Sequence, residues 1–209
     1  MSRICEHKKM LSNYDTILFD LDGTLYDSDQ FYRGAFEDMA QWLVKAGFQK
    51  NPEPWVDCVM GLKQARGNDY GNLIDDALLL LGIEGIVKTK LLHLYQDHDC
   101  RNLVLGPEES GCLAYLKSCH KNMCIITNGQ NQLQTRKIEK LGLAPYMKEI
   151  IILDPSTTAC IKPDTAAFDL MCNRFNPGKI IMVGDRFDID GVFAKNAGID
   201  FIGVGFYGN

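Results

Sequence analysis

Hydrophobic residues follow two patterns along the chain, and each pattern predicts a different element. Short unbroken apolar runs occur at TILFDL (16–21), MCIIT (123–127), EIIIL (149–153), KIIMVGD (179–185) and DFIGVG (200–205). An apolar run that is bounded by turn residues is typical of a strand buried on both faces. Because helical stretches separate these runs, we predict an α/β fold, namely a Rossmann-like, doubly wound parallel sheet of about five strands.

The stretch between the first and second runs has helical periodicity instead. One helix is indicated by Phe31, Ala35, Met39, Trp42 and Ala46, a second by Leu73, Ala77, Leu80 and Leu81, and a third by Val87, Leu91 and Leu94. The proline pair in NPEPW (51–55) is interpreted as a break. We predict a core domain from residues 1–27 and 103–209, with residues 28–102 inserted as a helical domain. Residues 1–14 are predicted to form a loose tail.

Composition and charge narrow the class of protein. The 209 residues are 46% hydrophobic and 23% charged, with a formal net charge of −5, which is typical of a globular protein and argues against a nucleic-acid polymer as partner. No apolar run is long enough for a membrane span, and the N-terminal residues lack the apolar centre of a signal peptide. The eight cysteines contain no C-x-x-C pair, so we expect reduced, buried thiols in a cytoplasmic protein.

Polar residues follow the predicted strands at the points where the apolar runs end. The first strand ends in Asp20, with Asp22 two residues later, and the others are followed by Thr127, Asn128, Lys162, Asp185 and Asp190. Because the carboxyl ends of parallel strands meet at one edge of a sheet, we expect these side chains to lie close together. Asp154 and Asp188 also follow strands; we expect the first in a turn and the second facing solvent.

These residue types suit the transfer of a phosphoryl group, which requires a held phosphate and neutralised charge. Mg²⁺ prefers oxygen ligands and can join a carboxylate to a phosphoryl oxygen, and both Asp20 and Asp185 could reach such an ion. Asp20 could also be the nucleophile, with Asp22 protonating the leaving oxygen and later activating water.

The phosphate itself needs donors and a positive charge. The backbone N–H groups that follow the first two strands, including those of Leu21 and Asp22, could donate to it together with Thr127 and Asn128. The ammonium of Lys162 would neutralise charge on the phosphate and on the nucleophile.

Four short motifs, DLDGTL, IITNG, IKPD and VGDRFDID, occur in this order. They resemble the four motifs of the haloacid dehalogenase superfamily of phosphotransferases, and the resemblance extends over residues 15–206. It implies that Asp20 is the nucleophile and Asp22 the acid/base. It also implies that Mg²⁺ is held by Asp20, the backbone carbonyl of Asp22 and Asp185, with Asp190 in support. The helical insertion resembles the small helical cap of this superfamily.

The resemblance leaves more than one activity open. Dehalogenases of the superfamily lack the carboxylate two residues after the nucleophile, so Asp22 favours phosphoryl transfer. We expect hydrolysis of a small phosphorylated metabolite through an aspartyl-phosphate. A phosphomutase acting on a sugar phosphate and a phospho-aspartate switch remain as alternatives. The cap cations Arg33, Lys63, Arg66 and Arg101 either contact a second acidic group of the substrate or remain solvated surface charges.

Overall fold

The computed structural model describes residues 3–67, 70–85 and 88–206. The strands are β1 (Thr16–Phe19), β2 (Asn122–Asn128), β3 (Glu149–Leu153), β4 (Ile180–Gly184) and β5 (Asp200–Gly203). The helices are α1 (Lys8–Leu11), α2 (Asp29–Lys45), α3 (Glu53–Arg66), α4 (Leu73–Leu80), α5 (Lys88–Asp97), α6 (Pro107–Ser118), α7 (Asn131–Lys140), α8 (Ala166–Arg174) and α9 (Val192–Ala197).

In the described part of the chain these strands form one parallel five-stranded sheet. Its order is β3-β2-β1-β4-β5. The predicted α/β fold is confirmed. β1 lies at the centre, with β2 and β3 on one side and β4 and β5 on the other, so the order of the strands reverses beside β1. Ligands of open α/β sheets bind at such a reversal.

The sheet is buried because helices cover it with apolar side chains. Ile17, Leu18 and Phe19 of β1 are fully buried. On one face, Leu18 belongs to an apolar cluster that also contains Phe168 of α8 and Phe193 of α9. The unbroken apolar character of β1, β2 and β4 thus reflects burial on both faces. The prediction does not extend to the edge strands, because β3 is mostly half-buried and the two end residues of β5 are exposed.

The chain divides into two compact units. One comprises residues up to Ser28 together with those from Leu103 onward, and contains the sheet; the other is Asp29–Asn102. The second unit is helical and has its own core around Phe36, Met39 and Trp55. The function of this helical unit as a cap stays a prediction.

Two local predictions were wrong. Residues 3–14 are not a loose tail: a 3-10 turn (Ile4–His7) and α1 contact α6, and Ile4 and Leu11 are buried. NPEPW is not simply a break, because α3 begins within it at Glu53. Pro54 lies in the first turn of that helix, where a missing N–H breaks no hydrogen bond. Val87, expected on a helix, and residues 207–209 lie outside the described residues.

The cysteines are free, but they are not uniformly buried. Cys100, Cys112 and Cys124 are buried, Cys160 is exposed, and the other four are half-buried. The expectation of buried thiols therefore holds for three of the eight positions. In residues 3–67, 70–85 and 88–206, no helix combines the length and the apolar character that crossing a bilayer requires.

Candidate active site

The polar residues predicted at the strand ends do converge at one edge of the sheet. Asp20 follows β1 directly, and its N–H donates to the carbonyl of Val183 in β4 at 2.9 Å. Nζ of Lys162 lies 2.6 Å from Oδ1 of Asp20 and 2.7 Å from Oδ1 of Asp190. The lysine therefore joins the carboxylate after the central strand to one after β4.

Three buried carboxylates form a cluster that fits a divalent cation. Asp20, Asp185 and Asp190 each offer an oxygen, and these oxygens lie within 4.8 Å of one another. Burial raises the pKa of Asp185 to about 8, and the neighbouring Asp20 and Asp190 add to the shift. Burial also raises the pKa of Asp20 to about 7, with Lys162 opposing the shift and Asp190 reinforcing it. A hard cation that prefers oxygen ligands, such as Mg²⁺, would relieve this crowding of negative charge.

Asp190 is engaged on both oxygens. Oδ1 accepts from Lys162, and Oδ2 accepts from the backbone N–H of Arg186 at 3.2 Å. A β carbon at position 184 would lie 2.3 Å from Oδ2 of Asp190, so Gly184 leaves the space that this carboxylate occupies. Asp190 is thus fixed against the end of β4.

The end of β2 supports Lys162 through a side chain. Oδ1 of Asn128 accepts from the backbone N–H of Lys162 at 2.9 Å, and Nδ2 donates to the carbonyl of Lys162 at 3.0 Å. The Asn128 amide therefore holds the lysine backbone, in addition to any contact that it makes with a phosphate. Thr127 is buried beside it, and so is Leu21 after β1.

Asp22 is surrounded by residues that the motifs did not indicate. Nζ of Lys137 lies 2.7 Å from Oδ1 of Asp22, Nε2 of Gln134 donates to Oδ2 at 2.8 Å, and the hydroxyl of Tyr26 also donates to Oδ1. Although burial alone would raise the pKa of Asp22, Lys137 lowers it, helped by the hydrogen bonds from Tyr26 and Gln134. In the sequence, the one indication that Gln134 and Lys137 act together was their three-residue spacing, which places them on the same face of α7.

The two remaining aspartates lie where they were expected. Asp188 is exposed and pairs with Nη2 of Arg186 at 2.6 Å. Asp154 is in a turn, where it accepts from the backbone N–H groups of Asn131 at 2.8 Å and Ser156 at 2.9 Å. Asp154 thus joins the start of α7 to the turn that follows β3.

The predicted cap cations have different surroundings within the helical unit. Arg33 is exposed, and Arg66 lies 5.6 Å from the centroid of the Tyr70 ring. Lys63 is buried and pairs with Asp29 at 2.5 Å, so it is not a solvated surface charge. Arg101 pairs with two carboxylates, those of Asp38 and Asp99.

Comparison with known proteins assigns the family. The profile of haloacid dehalogenase-like hydrolases matches residues 14–198. The chain belongs to the haloacid dehalogenase-like hydrolase family. The resemblance carried by the four motifs is therefore confirmed, and so is the prediction of a hydrolase of this family.

Curated relatives within the family are phosphatases. The chain is 31% identical to a phosphoglycolate phosphatase of Neisseria gonorrhoeae, over 95% of this chain and 84% of that protein. It is 27% identical to a glyceraldehyde 3-phosphate phosphatase of Methanocaldococcus jannaschii, over 88% of this chain and 81% of that protein. Among solved structures, a candidate beta-phosphoglucomutase of Thermotoga maritima superposes with a TM-score of 0.69 at 20% identity, covering 93% of this chain and 87% of that one. At this identity the likeness concerns the fold alone.

Proposed function

We propose that the chain is a Mg²⁺-dependent phosphatase that hydrolyses a small phosphorylated metabolite through an aspartyl-phosphate on Asp20. The observation that carries the proposal is the position of Asp20. It is buried at the end of the central strand, 2.6 Å from the ammonium of Lys162, and shares a carboxylate cluster with Asp185 and Asp190. A second carboxylate, Asp22, follows two residues later.

The substrate class is supported by the relatives. Curated proteins that align with most of the chain are named for glyceraldehyde 3-phosphate, phosphoglycolate and N-acylneuraminate 9-phosphate. Each is named for a compact phosphate ester. We extend this class to the present chain, with the cytoplasm as its proposed location.

In the first step Asp20 acts as the nucleophile. An oxygen of its carboxylate forms a bond to phosphorus while the bond from phosphorus to the leaving oxygen breaks. Asp22 donates a proton to that leaving oxygen, so the alcohol departs neutral. Lys137 favours the ionised form of Asp22 before the substrate binds, and the negative charge of the bound phosphate ester favours the protonated form that the first step uses. Lys162 offsets negative charge at the nucleophile and at the phosphoryl group throughout.

In the second step Asp22 acts as the base. It accepts a proton from water as the water oxygen bonds to phosphorus, and the bond between phosphorus and Asp20 breaks. Inorganic phosphate leaves, Asp20 is regenerated as a carboxylate, and Asp22 is protonated again for the next cycle.

The phosphoryl oxygens need donors at the strand ends. We assign the backbone N–H groups of Leu21 and Asp22, the hydroxyl of Thr127, the amide of Asn128 and the ammonium of Lys162 to this contact. These groups lie after β1, in the last two residues of β2 or after β3, and the carboxyl ends of these strands share one edge of the sheet.

Mg²⁺ would be held by the carboxylates of Asp20 and Asp185 and the backbone carbonyl of Asp22, with Asp190 in support. When bound, the ion would neutralise the charge that three buried carboxylates and a phosphate bring together. The raised pKa values of Asp20 and Asp185 support this assignment, because burial and the neighbouring carboxylates disfavour the ionised forms that a bound cation would stabilise.

The proposal is tested by measuring phosphate release from p-nitrophenyl phosphate and from a panel of phosphorylated metabolites. We expect turnover with Mg²⁺, none with EDTA, and none after Asp20→Asn. The matched control is Asp188→Asn, which removes an exposed carboxylate near the site and is expected to retain the rate. Retained turnover in Asp20→Asn would refute the assigned nucleophile. A single burst of phosphate without turnover would indicate a switch, and transfer to a second substrate hydroxyl would indicate a mutase.

A further inference from the structure

Helix α7 buries two polar side chains on one face. Gln134 is 2% exposed and Lys137 is 5% exposed, whereas Glu139 and Lys140 on the same helix are exposed. Burying an ammonium or an amide is costly unless a partner compensates for the lost water. Their partners therefore indicate what these two residues do.

Both residues bind the same carboxylate, and they do so on different oxygens. Lys137 contacts Oδ1 of Asp22 at 2.7 Å, and Gln134 contacts Oδ2 at 2.8 Å. Two contacts on opposite oxygens fix the rotation of a carboxylate as well as its position. The hydroxyl of Tyr26 adds a further contact to Oδ1.

Gln134 also joins Asp22 to the end of β2. Its Nε2 lies 2.9 Å from Oγ1 of Thr127 and 3.2 Å from the carbonyl oxygen of Asn128. A β carbon at position 129 would lie 3.0 Å from Cγ of Gln134, so Gly129 provides the room for this side chain. The packing of the Gln134 side chain from α7 thus explains why a glycine stands at position 129 in IITNG.

We propose that Lys137 and Gln134 are positioning residues that fix the carboxylate of Asp22 for proton transfer to the leaving oxygen. The inference rests on the proposed function, because it assigns a purpose to residues around the acid/base of that reaction. A proton donor must lie within hydrogen-bond reach of the oxygen that it protonates, and a misplacement of about 1 Å can cost about a hundredfold in rate.

The leaving group distinguishes this role from direct binding of the phosphate. The p-nitrophenolate anion departs readily without a proton, whereas an alkoxide does not. Loss of Asp22 positioning should therefore slow formation of the aspartyl-phosphate from alkyl phosphates far more than from p-nitrophenyl phosphate. This step is measured by kcat/KM, whereas hydrolysis of the aspartyl-phosphate is common to all esters and affects kcat alone. Loss of a phosphate contact should slow all esters alike, because they share the same phosphoryl group.

The experiment compares Lys137→Met and Gln134→Leu with Lys140→Met, a control that removes an exposed ammonium from the same helix. Values of kcat and KM are measured for p-nitrophenyl phosphate, phenyl phosphate and the alkyl phosphate that the unaltered protein hydrolyses fastest. We expect Lys137→Met and Gln134→Leu to lower kcat/KM for the alkyl ester by about tenfold or more, and for p-nitrophenyl phosphate by less than about threefold. Lys140→Met should leave both unchanged.

A second arm uses Asp22→Asn as reference. That substitution should lower kcat/KM for the alkyl ester by about 10²- to 10⁴-fold. Adding Lys137→Met to it should cause less than about a twofold further loss, because the two changes remove one function. Equal losses of kcat/KM for all esters, or losses that multiply in the double variant, would overturn the inference. Gln134→Leu carries the same test if Lys137→Met does not fold. Failure of the proposed function is separate, since it would appear as no turnover by the unaltered protein.

Discussion

A β carbon at position 23 would lie 2.4 Å from Oδ2 of Asp185. The backbone of Gly23 also has φ +78°, a conformation that residues with a side chain rarely adopt. Two independent requirements thus select glycine in DLDGTL. One is the shape of the turn after β1, and the other is the space that the carboxylate after β4 occupies. The first and fourth motifs therefore constrain each other directly.

We predict that Gly23→Ala weakens the binding of Mg²⁺ as well as the fold. The positive φ should cost on the order of 1–3 kcal/mol in the free energy of unfolding, and the added methyl should displace Asp185. Disturbed support of a metal ligand typically lowers metal affinity by about 10- to 100-fold. The measurement is the Mg²⁺ concentration that gives half-maximal phosphatase rate, together with urea unfolding.

Gly47→Ala is the matched control for this variant. Gly47 has φ +79°, but a β carbon there would meet nothing within 4 Å. It should therefore lose similar stability from backbone strain and keep the normal Mg²⁺ requirement. An unchanged Mg²⁺ requirement in Gly23→Ala would contradict the predicted displacement of Asp185.

Asp190→Asn should impair the reaction, because it removes the carboxylate that holds Lys162 from the side of β4. Truncating one partner of a buried ion pair costs about 3–5 kcal/mol when the other charge stays unpaired. Here Asp20 remains as a partner of Lys162, so we expect a smaller loss in the free energy of unfolding, about 1–3 kcal/mol. We also expect kcat to fall at least tenfold, which corresponds to an increase of about 1.4 kcal/mol in the activation barrier. Steady-state rates and urea unfolding measure both effects. Asp188→Asn, which removes an exposed carboxylate two residues away, should change neither kcat nor the free energy of unfolding. Equal effects of the two substitutions would contradict the predicted support of Lys162 by Asp190.

The raised pKa values predict how the stability of the metal-free protein depends on pH. With folded pKa values of about 7 for Asp20 and about 8 for Asp185, the folded state binds more protons than the unfolded state above about pH 4. The free energy of unfolding should therefore fall as pH rises from 5.5 to 8 in EDTA. The lowered pKa of Asp22 affects stability only at more acidic pH, where protonation of Asp22 removes its contribution to the free energy of unfolding. It therefore does not alter the trend between pH 5.5 and 8.

Mg²⁺ should reverse that trend, since it binds the ionised carboxylates. Thermal unfolding with EDTA and with Mg²⁺ is the measurement, and the increase in Tm caused by Mg²⁺ should be larger at pH 8 than at pH 5.5. In Asp185→Asn the fall of stability between these pH values should be smaller. Stability that rises from pH 5.5 to 8 in EDTA would contradict the crowding of charge at this site.

The sheet and the edge that carries the site could be predicted from sequence because both depend on local patterns. Unbroken apolar runs identify strands that are buried on both faces, and parallel strands bring the residues after them to one edge. Asp20 and Asp185 could therefore be placed together even though the chain between them contains a whole helical unit.

The surroundings of Asp22 could not be predicted in this way. Helix α7 has the sequence NQLQTRKIEK, in which polar residues lie on every face, so periodicity does not separate the buried Gln134 and Lys137 from the exposed Lys140. Their burial depends on a carboxylate that belongs to a different segment of the chain. The N-terminal 3-10 turn and α1 escaped prediction for a related reason, because they bury one apolar residue each, Ile4 and Leu11, and two positions are too few to establish a period.

The N-terminal segment nevertheless contributes to stability, and Leu11→Ala should reveal it. Leu11 is fully buried, and replacing a buried leucine by alanine costs about 2–5 kcal/mol because it removes apolar contacts and leaves a cavity. Lys9→Ala changes an exposed residue of the same helix and should stay within about 0.5 kcal/mol of the unaltered protein. Urea unfolding measures both free energies. If residues 3–14 were detached from the core in solution, Leu11→Ala would be as harmless as Lys9→Ala.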